Sequence, residues 1–131
     1  MIVLDTSAAV ELLLSLPLSK KVHRTLDDAE WNIASPQILT LEVLQVMRRR
    51  VAAGITPIGV AEEGRALLHD LGVNYFDHQA LADRVWSLRD NLTAYDASYI
   101  ALAEALDVAL VTTDSRMVNA PGNSARITLI Q

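Results

Sequence analysis

The sequence predicts a single α/β domain in three layers, with helices on both faces of a central, mainly parallel β-sheet. Short apolar runs typical of buried strands alternate along the chain with longer segments of helical periodicity, a pattern typical of βαβ units. The 131 residues are 51% hydrophobic and 21% charged, as in a globular protein with one core. No internal repeat or linker-like stretch divides them, so we expect one domain over residues 1–131.

The first part of the chain predicts two strands and two helices. Residues 2–4 form a short apolar run, and residues 32–34 look like another short strand. The helix after the first strand should cover residues 7–15 and end before Pro17, which cannot continue it. A second, amphipathic helix is predicted over residues 19–29.

A long helix is predicted after the second strand. Ser35 is suited to its N-cap and Pro36 to its first helical position. Gly54 is suited to its C-cap, and the three arginines at residues 48–50 are favourable at the negative end of the helix dipole. A further helix is predicted over residues 57–72, from a proline to a glycine.

The second half of the chain predicts three more strands and two more helices. The strands are expected over residues 73–76, 109–111 and 127–130. The helices are expected over residues 79–91 and 93–106. The alternation of strands and helices therefore continues to the end of the chain, which favours a parallel sheet.

Composition excludes several classes of protein and site. There are no cysteines, so disulfides and thiolate metal sites are excluded, and the three histidines show no metal-ligand spacing. No apolar run approaches the roughly 20 residues of a membrane span. No signal peptide precedes the first strand, so we expect a cytoplasmic protein that does not enter a membrane.

The net charge of −5 argues against a broad electrostatic hold on nucleic acid. The positive charge is uneven, however, since six of the eleven Lys and Arg residues lie in the first fifty positions. A bound metal ion would also reverse the sign of an acidic pocket locally. A nucleic-acid substrate therefore stays compatible with the overall acidity.

Four carboxylates lie where an α/β chain would bring them together. Asp5 follows the first strand and Asp114 follows the apolar run at residues 109–113, while Glu42 and Asp96 stand on predicted helices. Ligands of open parallel sheets bind beyond the carboxyl ends of the strands. Because closely packed like charges raise one another's pKa unless a cation is present, the arrangement predicts a site for a divalent metal ion.

Each acid also has a simpler interpretation. Asp5 could cap the helix that follows it, and Asp114 could be an ordinary turn residue. Asp96 could belong to a capping box with Thr93. Glu42 is the only charged residue between positions 38 and 47, and an Arg from another helix could pair with it. The four acids taken together favour the metal site.

The segments around the four acids resemble the PIN-domain family, and specifically the VapC toxins of type II toxin–antitoxin systems. The resemblance covers nearly the whole chain, with the motifs in order. The matching segments are Ile2-Val3-Leu4-Asp5-Thr6-Ser7-Ala8, Leu41-Glu42-Val43, Ala94-Tyr95-Asp96-Ala97 and Thr112-Thr113-Asp114-Ser115-Arg116. The chain departs from many relatives in one respect, because they carry a further acid shortly after the fourth motif, where this chain has Ser115, Met117 and Asn119.

The resemblance implies a PIN-like fold and an endoribonuclease that acts as the toxin of a toxin–antitoxin pair. It implies Mg²⁺ or Mn²⁺ as the cofactor, bound by the four residues that would also be catalytic: Asp5, Glu42, Asp96 and Asp114. It further implies an RNA substrate, a homodimer, and neutralisation by a cognate antitoxin of the VapB type, usually a neighbouring DNA-binding protein.

In such a site, water activated by the metal would attack the phosphodiester in line. Thr6, Ser7 and Thr112 are expected to support the acids by orienting them or nearby waters. Phosphate contacts are expected from basic residues near the acids or on the early helices, namely Lys20, Lys21, Arg48, Arg49, Arg50 and Arg116.

The same residues allow two alternative functions. A PIN-like binding module with weak or no catalysis would share every motif above. A phosphorylatable receiver-like domain would explain Asp5 and an acid, Asp77, after the third strand. That class requires a lysine after the last strand, whereas Lys20 and Lys21 are the only lysines and lie far upstream.

Overall fold

The computed structural model describes all 131 residues and contains one five-stranded sheet. The strands are β1 (Ile2–Leu4), β2 (Ile33–Pro36), β3 (Asn74–Phe76), β4 (Leu110–Thr112) and β5 (Ile127–Leu129). They lie in the order β3-β2-β1-β4-β5, and every pair of neighbours is parallel. The predicted α/β class with a parallel sheet is confirmed.

Seven α-helices connect the strands, and a single 3₁₀ turn (Gln79–Leu81) precedes the fifth of them. The helices are α1 (Thr6–Leu13), α2 (Ser19–Asp28), α3 (Ile38–Ala52), α4 (Ile58–Asp70), α5 (Ala82–Ser87), α6 (Ala94–Leu106) and α7 (Ser115–Val118). None of them has both the length and the apolar character needed to cross a membrane.

Strand β1 lies in the middle of the sheet because the chain builds outward from it in both directions. Strands β2 and β3 lie on one side of it and β4 and β5 on the other. The order of the strands therefore reverses between β1 and β4, where a crevice forms at the carboxyl ends of the two strands. Asp5 directly follows β1 at this crevice, and Asp114 follows β4 by two residues.

Helix α6 packs against the sheet and is buried along most of its length. It contacts β1, β2 and β4, and α5 packs against it as well. Seven consecutive residues, from Ala97 to Ala103, are buried, which explains why this helix is apolar on almost every side. The packing fixes the position of its first turn, which carries Asp96.

The boundary between β2 and α3 differs from the prediction, and Ser35 is not the N-cap of α3. Ser35 and Pro36 belong to β2, and the buried Ser35 hydroxyl donates to the Leu4 carbonyl of β1 over 3.0 Å. Helix α3 begins at Ile38, whose backbone N–H donates to Nε2 of His78 over 3.0 Å. A histidine from a distant segment thus replaces the local cap, and no local sequence pattern indicates that contact.

The second half contains two smaller differences from the prediction. Residues 79–91 do not form one helix, because α5 ends at Ser87. The Ser87 hydroxyl donates to the Arg84 carbonyl over 2.7 Å, a local bond that competes with continuation of the helix. Helix α7 was not predicted, and it begins directly after Asp114, whose side chain caps it.

The contact between α4 and α1 depends on a glycine. A Cβ atom at Gly64 would lie 2.9 Å from the Leu13 carbonyl oxygen and 2.9 Å from Cε of Met47. Because the carbonyl belongs to the backbone, the two helices would have to separate. We expect Gly64→Ala to lower the free energy of unfolding by about 1–3 kcal/mol, measured by urea denaturation.

Gly59→Ala is the matched control for that substitution. Gly59 lies at the start of the same helix, and a Cβ there would meet no atom within 4 Å. The control should leave stability unchanged or raise it slightly. Equal stabilities of the two variants would show that α4 can move away from α1 without cost.

Candidate active site

Asp5 is a buried carboxylate fixed by three hydrogen bonds. Its Oδ1 accepts from the Ala8 backbone N–H over 3.0 Å and from the Ser7 hydroxyl over 2.8 Å. Its Oδ2 accepts from the Thr112 hydroxyl over 2.6 Å. Burial, with a smaller contribution from the nearby Asp96, nevertheless raises the pKa of Asp5 from 3.8 to about 6. Asp5 therefore caps α1, as its simpler interpretation predicted, and is also a destabilised anion at the crevice.

Glu42 lies on α3 and is held by two hydroxyl groups. Its Oε1 accepts from the Tyr99 hydroxyl over 2.6 Å and from the Thr6 hydroxyl over 2.9 Å. Burial, and next the hydrogen bond to Glu42, raise the pKa of Tyr99, so the phenol stays protonated and can donate. No Arg pairs with Glu42, so the alternative of an Arg partner is wrong.

Asp96 lies in the first turn of α6, half-buried, and Thr93 caps that turn. The Thr93 hydroxyl oxygen accepts from the backbone N–H of Asp96 over 3.1 Å. Burial raises the pKa of Asp96, and repulsion from Asp114 and Glu42 raises it further, whereas Arg116 lowers it. The capping interpretation of Thr93 is thus observed together with an electrostatic role of the carboxylate.

Asp114 is the one acid of the four that forms an ion pair. Its Oδ2 accepts from Nη2 of Arg116 over 2.7 Å, and its Oδ1 accepts from Nε over 3.1 Å and from the backbone N–H over 3.0 Å. Hydrogen bonding from Arg116 lowers the pKa of Asp114. This acid is ionised and already has a cationic partner.

The electrostatic effects place the four acids in one region, with Asp96 at its centre. The charge of Asp96 raises the pKa of Asp5, and the charges of Glu42 and Asp114 raise that of Asp96. As placed, however, no three Asp, Glu or His side chains surround one point closely enough to hold an ion. Asp5, Glu42 and Asp114 each bind other groups of the protein instead.

The donor set fits Mg²⁺ or Mn²⁺ by its chemistry. All four candidate ligands are carboxylates, which such hard cations prefer, and no thiolate or histidine competes with them. Burial, with added repulsion among the acids, raises the pKa of Asp5 and of Asp96, and a bound cation would favour their charged form. To reach the same ion as the others, Asp114 would have to leave Arg116.

The three supporting residues lie directly against these acids. Thr112 is fully buried; its hydroxyl donates to Asp5 and accepts from the Asp114 backbone N–H over 3.0 Å. The Ser7 hydroxyl donates to Asp5 and accepts from the Thr113 backbone N–H over 2.9 Å. Together these bonds tie the end of β4 to the start of α1.

Of the six basic residues expected to contact phosphate, two lie in clefts beside the acids. Arg49 lines the cleft that contains Glu42, and Arg116 lines the one that contains Asp96. Arg48 lines a groove between α3 and α4, and Arg50 donates to Thr56. Lys20 and Lys21 lie on α2 and line neither cleft.

Sequence reasoning missed Tyr99. It lies three residues after Asp96 on α6, a spacing that puts both on one side of the helix. A buried tyrosine needs a partner for its hydroxyl, and here the partners are Glu42 and Thr6. That helical spacing was the available indication.

Comparison with known proteins gives consistent results. The PIN domain family matches residues 2–123 of the chain. Ribonuclease VapC9 of Mycobacterium tuberculosis is 39% identical over 132 residues, which cover 99% of this chain and 98% of that protein. Ribonuclease VapC1 of the same organism is 38% identical over 133 residues, covering 98% and 97%. In fold, the chain is similar to one in the crystal structure of VapBC2 from Rickettsia felis bound to a DNA fragment from their promoter, with a TM-score of 0.73 over 100% of both chains at 17% identity.

The receiver-like alternative does not fit the geometry or the comparisons. Asp77 follows the edge strand β3, with β2 between it and the strand that precedes Asp5. Its Oδ1 accepts from the Gln79 backbone N–H over 2.8 Å and so stabilises a turn. The parallel sheet, the acids at its switch point and the matches over almost the whole length agree with one another. The chain belongs to the PIN-domain family and, within it, to the VapC ribonucleases.

Proposed function

We propose that this chain, as a single PIN domain over residues 1–131, is a Mg²⁺- or Mn²⁺-dependent endoribonuclease that acts as the toxin of a toxin–antitoxin pair. The observation that carries the proposal is the group of four coupled carboxylates at the switch point of a parallel sheet. Relatives named ribonucleases support RNA as the substrate. One continuous apolar core of 30 buried residues supports the single domain.

The residues that would hold the cation are Asp5, Glu42, Asp96 and Asp114. A divalent cation there would make water more acidic and neutralise negative charge on the attacked phosphate. The chain's own groups position the ligands: Ser7 and Thr112 fix Asp5, while Thr6 and Tyr99 fix one oxygen of Glu42. The other oxygen of Glu42 has no protein donor, so it is available to a ligand.

The test is cleavage of RNA by the purified protein. We expect cleavage with Mg²⁺ or Mn²⁺ and none after EDTA is added. The products should carry a 5′-phosphate and a 3′-hydroxyl, because activated water would attack phosphorus, the bond from phosphorus to the 3′ oxygen would break, and that oxygen would leave as the hydroxyl. End-group analysis of the products measures this. A 2′,3′-cyclic phosphate formed in EDTA would mean attack by the ribose hydroxyl and would contradict the metal site.

A PIN-like binding module with weak or no catalysis is the second candidate. It is favoured by one observation, that no three acids surround a common point as placed. The two functions differ in a single assay. A binding module would retain a labelled RNA in Mg²⁺ without shortening it, whereas a nuclease would shorten it.

We propose a homodimer that forms through the apolar face next to the acids. Leu41, Tyr95 and Trp86 are 65%, 60% and 68% exposed, and the two aromatic residues border a mainly apolar cavity of about 300 Å³. Contiguous exposed aromatic surface is typical of protein interfaces. Light scattering should detect a dimer that Trp86→Glu converts into a monomer. A monomeric wild-type protein would exclude this contact.

We propose that a cognate antitoxin of the VapB type lies across α2 and α3 and brings a basic residue to the acids. A charge-assisted pair with carboxylates is strong, and it would compete with the cation. Metal binding should therefore be weaker in the complex than in the free protein. Calorimetric titration with Mn²⁺ compares them, and equal affinities would indicate inhibition away from the acids.

A further inference from the structure

Arg116 is the one basic residue that forms an ion pair with any of the four acids. Of the four candidate ligands, only Asp114 has an ion-pair partner, and the Arg116 guanidinium contacts both of its oxygens. The charge of Arg116 also lowers the pKa of Asp96, so its effect extends to the centre of the group. In the absence of a metal ion, this side chain supplies the positive charge that the acids lack.

The geometry of the pair allows the Arg116 side chain to leave Asp114. The Arg116 side chain is 84% exposed, whereas the Asp114 side chain is 22% exposed. The exposed guanidinium gives up little of its hydration in the pair, so its release to water costs little. Asp114 also accepts from the Arg116 backbone N–H, so the carboxylate stays in place when the guanidinium leaves. Only the arginine side chain has to move.

Next to the pair lies a polar cleft into which the guanidinium can move. The cleft has a volume of about 500 Å³, and Arg116 is its only Lys or Arg. Asp96 and Thr93 line it together with the amide side chains of Asn91 and Asn119. Amides, hydroxyls and an arginine are the groups that commonly contact the phosphates and sugars of nucleic acids. The planar guanidinium in particular can bind a phosphate through two hydrogen bonds.

We propose that Arg116 has two alternating partners: it neutralises Asp114 while no metal is bound, and it binds an RNA phosphate in the adjacent polar cleft once a divalent cation has taken its place at Asp114. This inference rests on the proposed nuclease function. It explains why Asp114 is the one acid of the four that forms an ion pair. It also gives an acidic chain of net charge −5 a cationic group beside its acids for an anionic substrate.

The two roles predict effects of opposite sign for Arg116→Gln. Removing the competing guanidinium should tighten Mn²⁺ binding to the RNA-free protein by about two- to five-fold in calorimetry. Removing the phosphate contact should raise KM for a short single-stranded RNA by roughly ten-fold, with a smaller change in kcat. Arg116→Lys keeps the charge but not the planar guanidinium. It should therefore show wild-type Mn²⁺ affinity and a KM between those of the wild type and Arg116→Gln.

Arg126→Gln is the matched control, since it removes the same charge from an exposed arginine. Arg126 contacts Asp107, at the opposite end of α6 from Asp96. This control should leave both measurements at the wild-type value. Unchanged or weaker Mn²⁺ binding in Arg116→Gln would overturn the exchange of partners, and an unchanged KM would overturn the phosphate contact. A wild-type protein that neither binds Mn²⁺ nor cleaves RNA would instead remove the nuclease function on which the inference rests.

Discussion

Replacing Asp96 by Asn is expected to abolish metal-dependent cleavage of RNA while the fold stays intact. Asp96 is the acid that interacts with all three others, so it is the member whose loss disrupts the site most. Loss of groups that only support metal ligands typically costs 10–100-fold, so loss of a ligand itself should cost at least about 100-fold in kcat/KM. The cap of α6 should survive, because Thr93 accepts from the backbone of residue 96 and not from its side chain.

The Asp96→Asn experiment needs a control that separates charge from folding. Asp83 is a carboxylate in the first turn of α5 and is exposed, so Asp83→Asn makes the same chemical change outside the acidic group. We expect that control to cleave RNA at the wild-type rate. Thermal melting of Asp96→Asn in EDTA should be unchanged or raised, since a repelling charge has been removed. Full activity of Asp96→Asn would show that Asp96 is not needed as a metal ligand and contributes only to the structure at the start of α6.

The fold and the positions of the acids could be predicted from the sequence because both depend on local patterns. Short apolar runs between helical segments indicated all five strands, and Asp5 directly follows the first of them. The start of α3 could not be predicted in this way. Ser35-Pro36 has the local chemistry of a helix start. The Ser35 hydroxyl donates to the neighbouring strand β1, however, and both residues belong to β2. Tertiary contacts therefore decided a boundary that local propensity assigned differently.

The partners of the acids were harder to predict than their positions. The sequence predicts that Glu42 needs a partner, and Arg is the simple candidate, yet the partners are the hydroxyl of Thr6 and that of a tyrosine 57 residues further along the chain. A neutral phenol satisfies the carboxylate without cancelling its charge, which suits a site that is to hold a cation. The Asp114–Arg116 pair, by contrast, joins residues two apart. Its spacing was visible in the sequence, but the choice between ion pair and metal ligand was not.

Asp5→Asn is expected to stabilise the metal-free protein at neutral pH. The pKa of Asp5 is raised to about 6 in the folded protein against 3.8 for the free side chain, mainly because burial disfavours its charge. The folded state therefore holds the proton more tightly than the unfolded state. Stability falls as the pH rises from about 4 through about 6, and the full loss is present above that window.

The expected size of that loss is about 3 kcal/mol, the free-energy equivalent of a shift of about two pKa units. Asparagine cannot ionise, so Asp5→Asn should lose this part of the pH dependence and exceed the wild type near pH 7, less whatever the altered hydrogen bond to Thr112 costs. Near pH 4 the advantage should vanish. The difference between the two proteins isolates Asp5 from the other acids, because they titrate in both.

Urea denaturation in EDTA at several pH values measures this difference. Asp28→Asn, at an exposed position on α2, is the control and should follow the wild-type curve throughout. Mn²⁺ adds a second comparison, because a cation bound at Asp5 stabilises the folded state of the wild type by mass action. Asp5→Asn has lost a metal ligand, so Mn²⁺ should stabilise it less than it stabilises the wild type. A constant difference between Asp5→Asn and the wild type across the whole pH range would mean that burial of the Asp5 charge does not lower the free energy of unfolding. A cation bound at Asp5 would then have no such destabilisation to relieve.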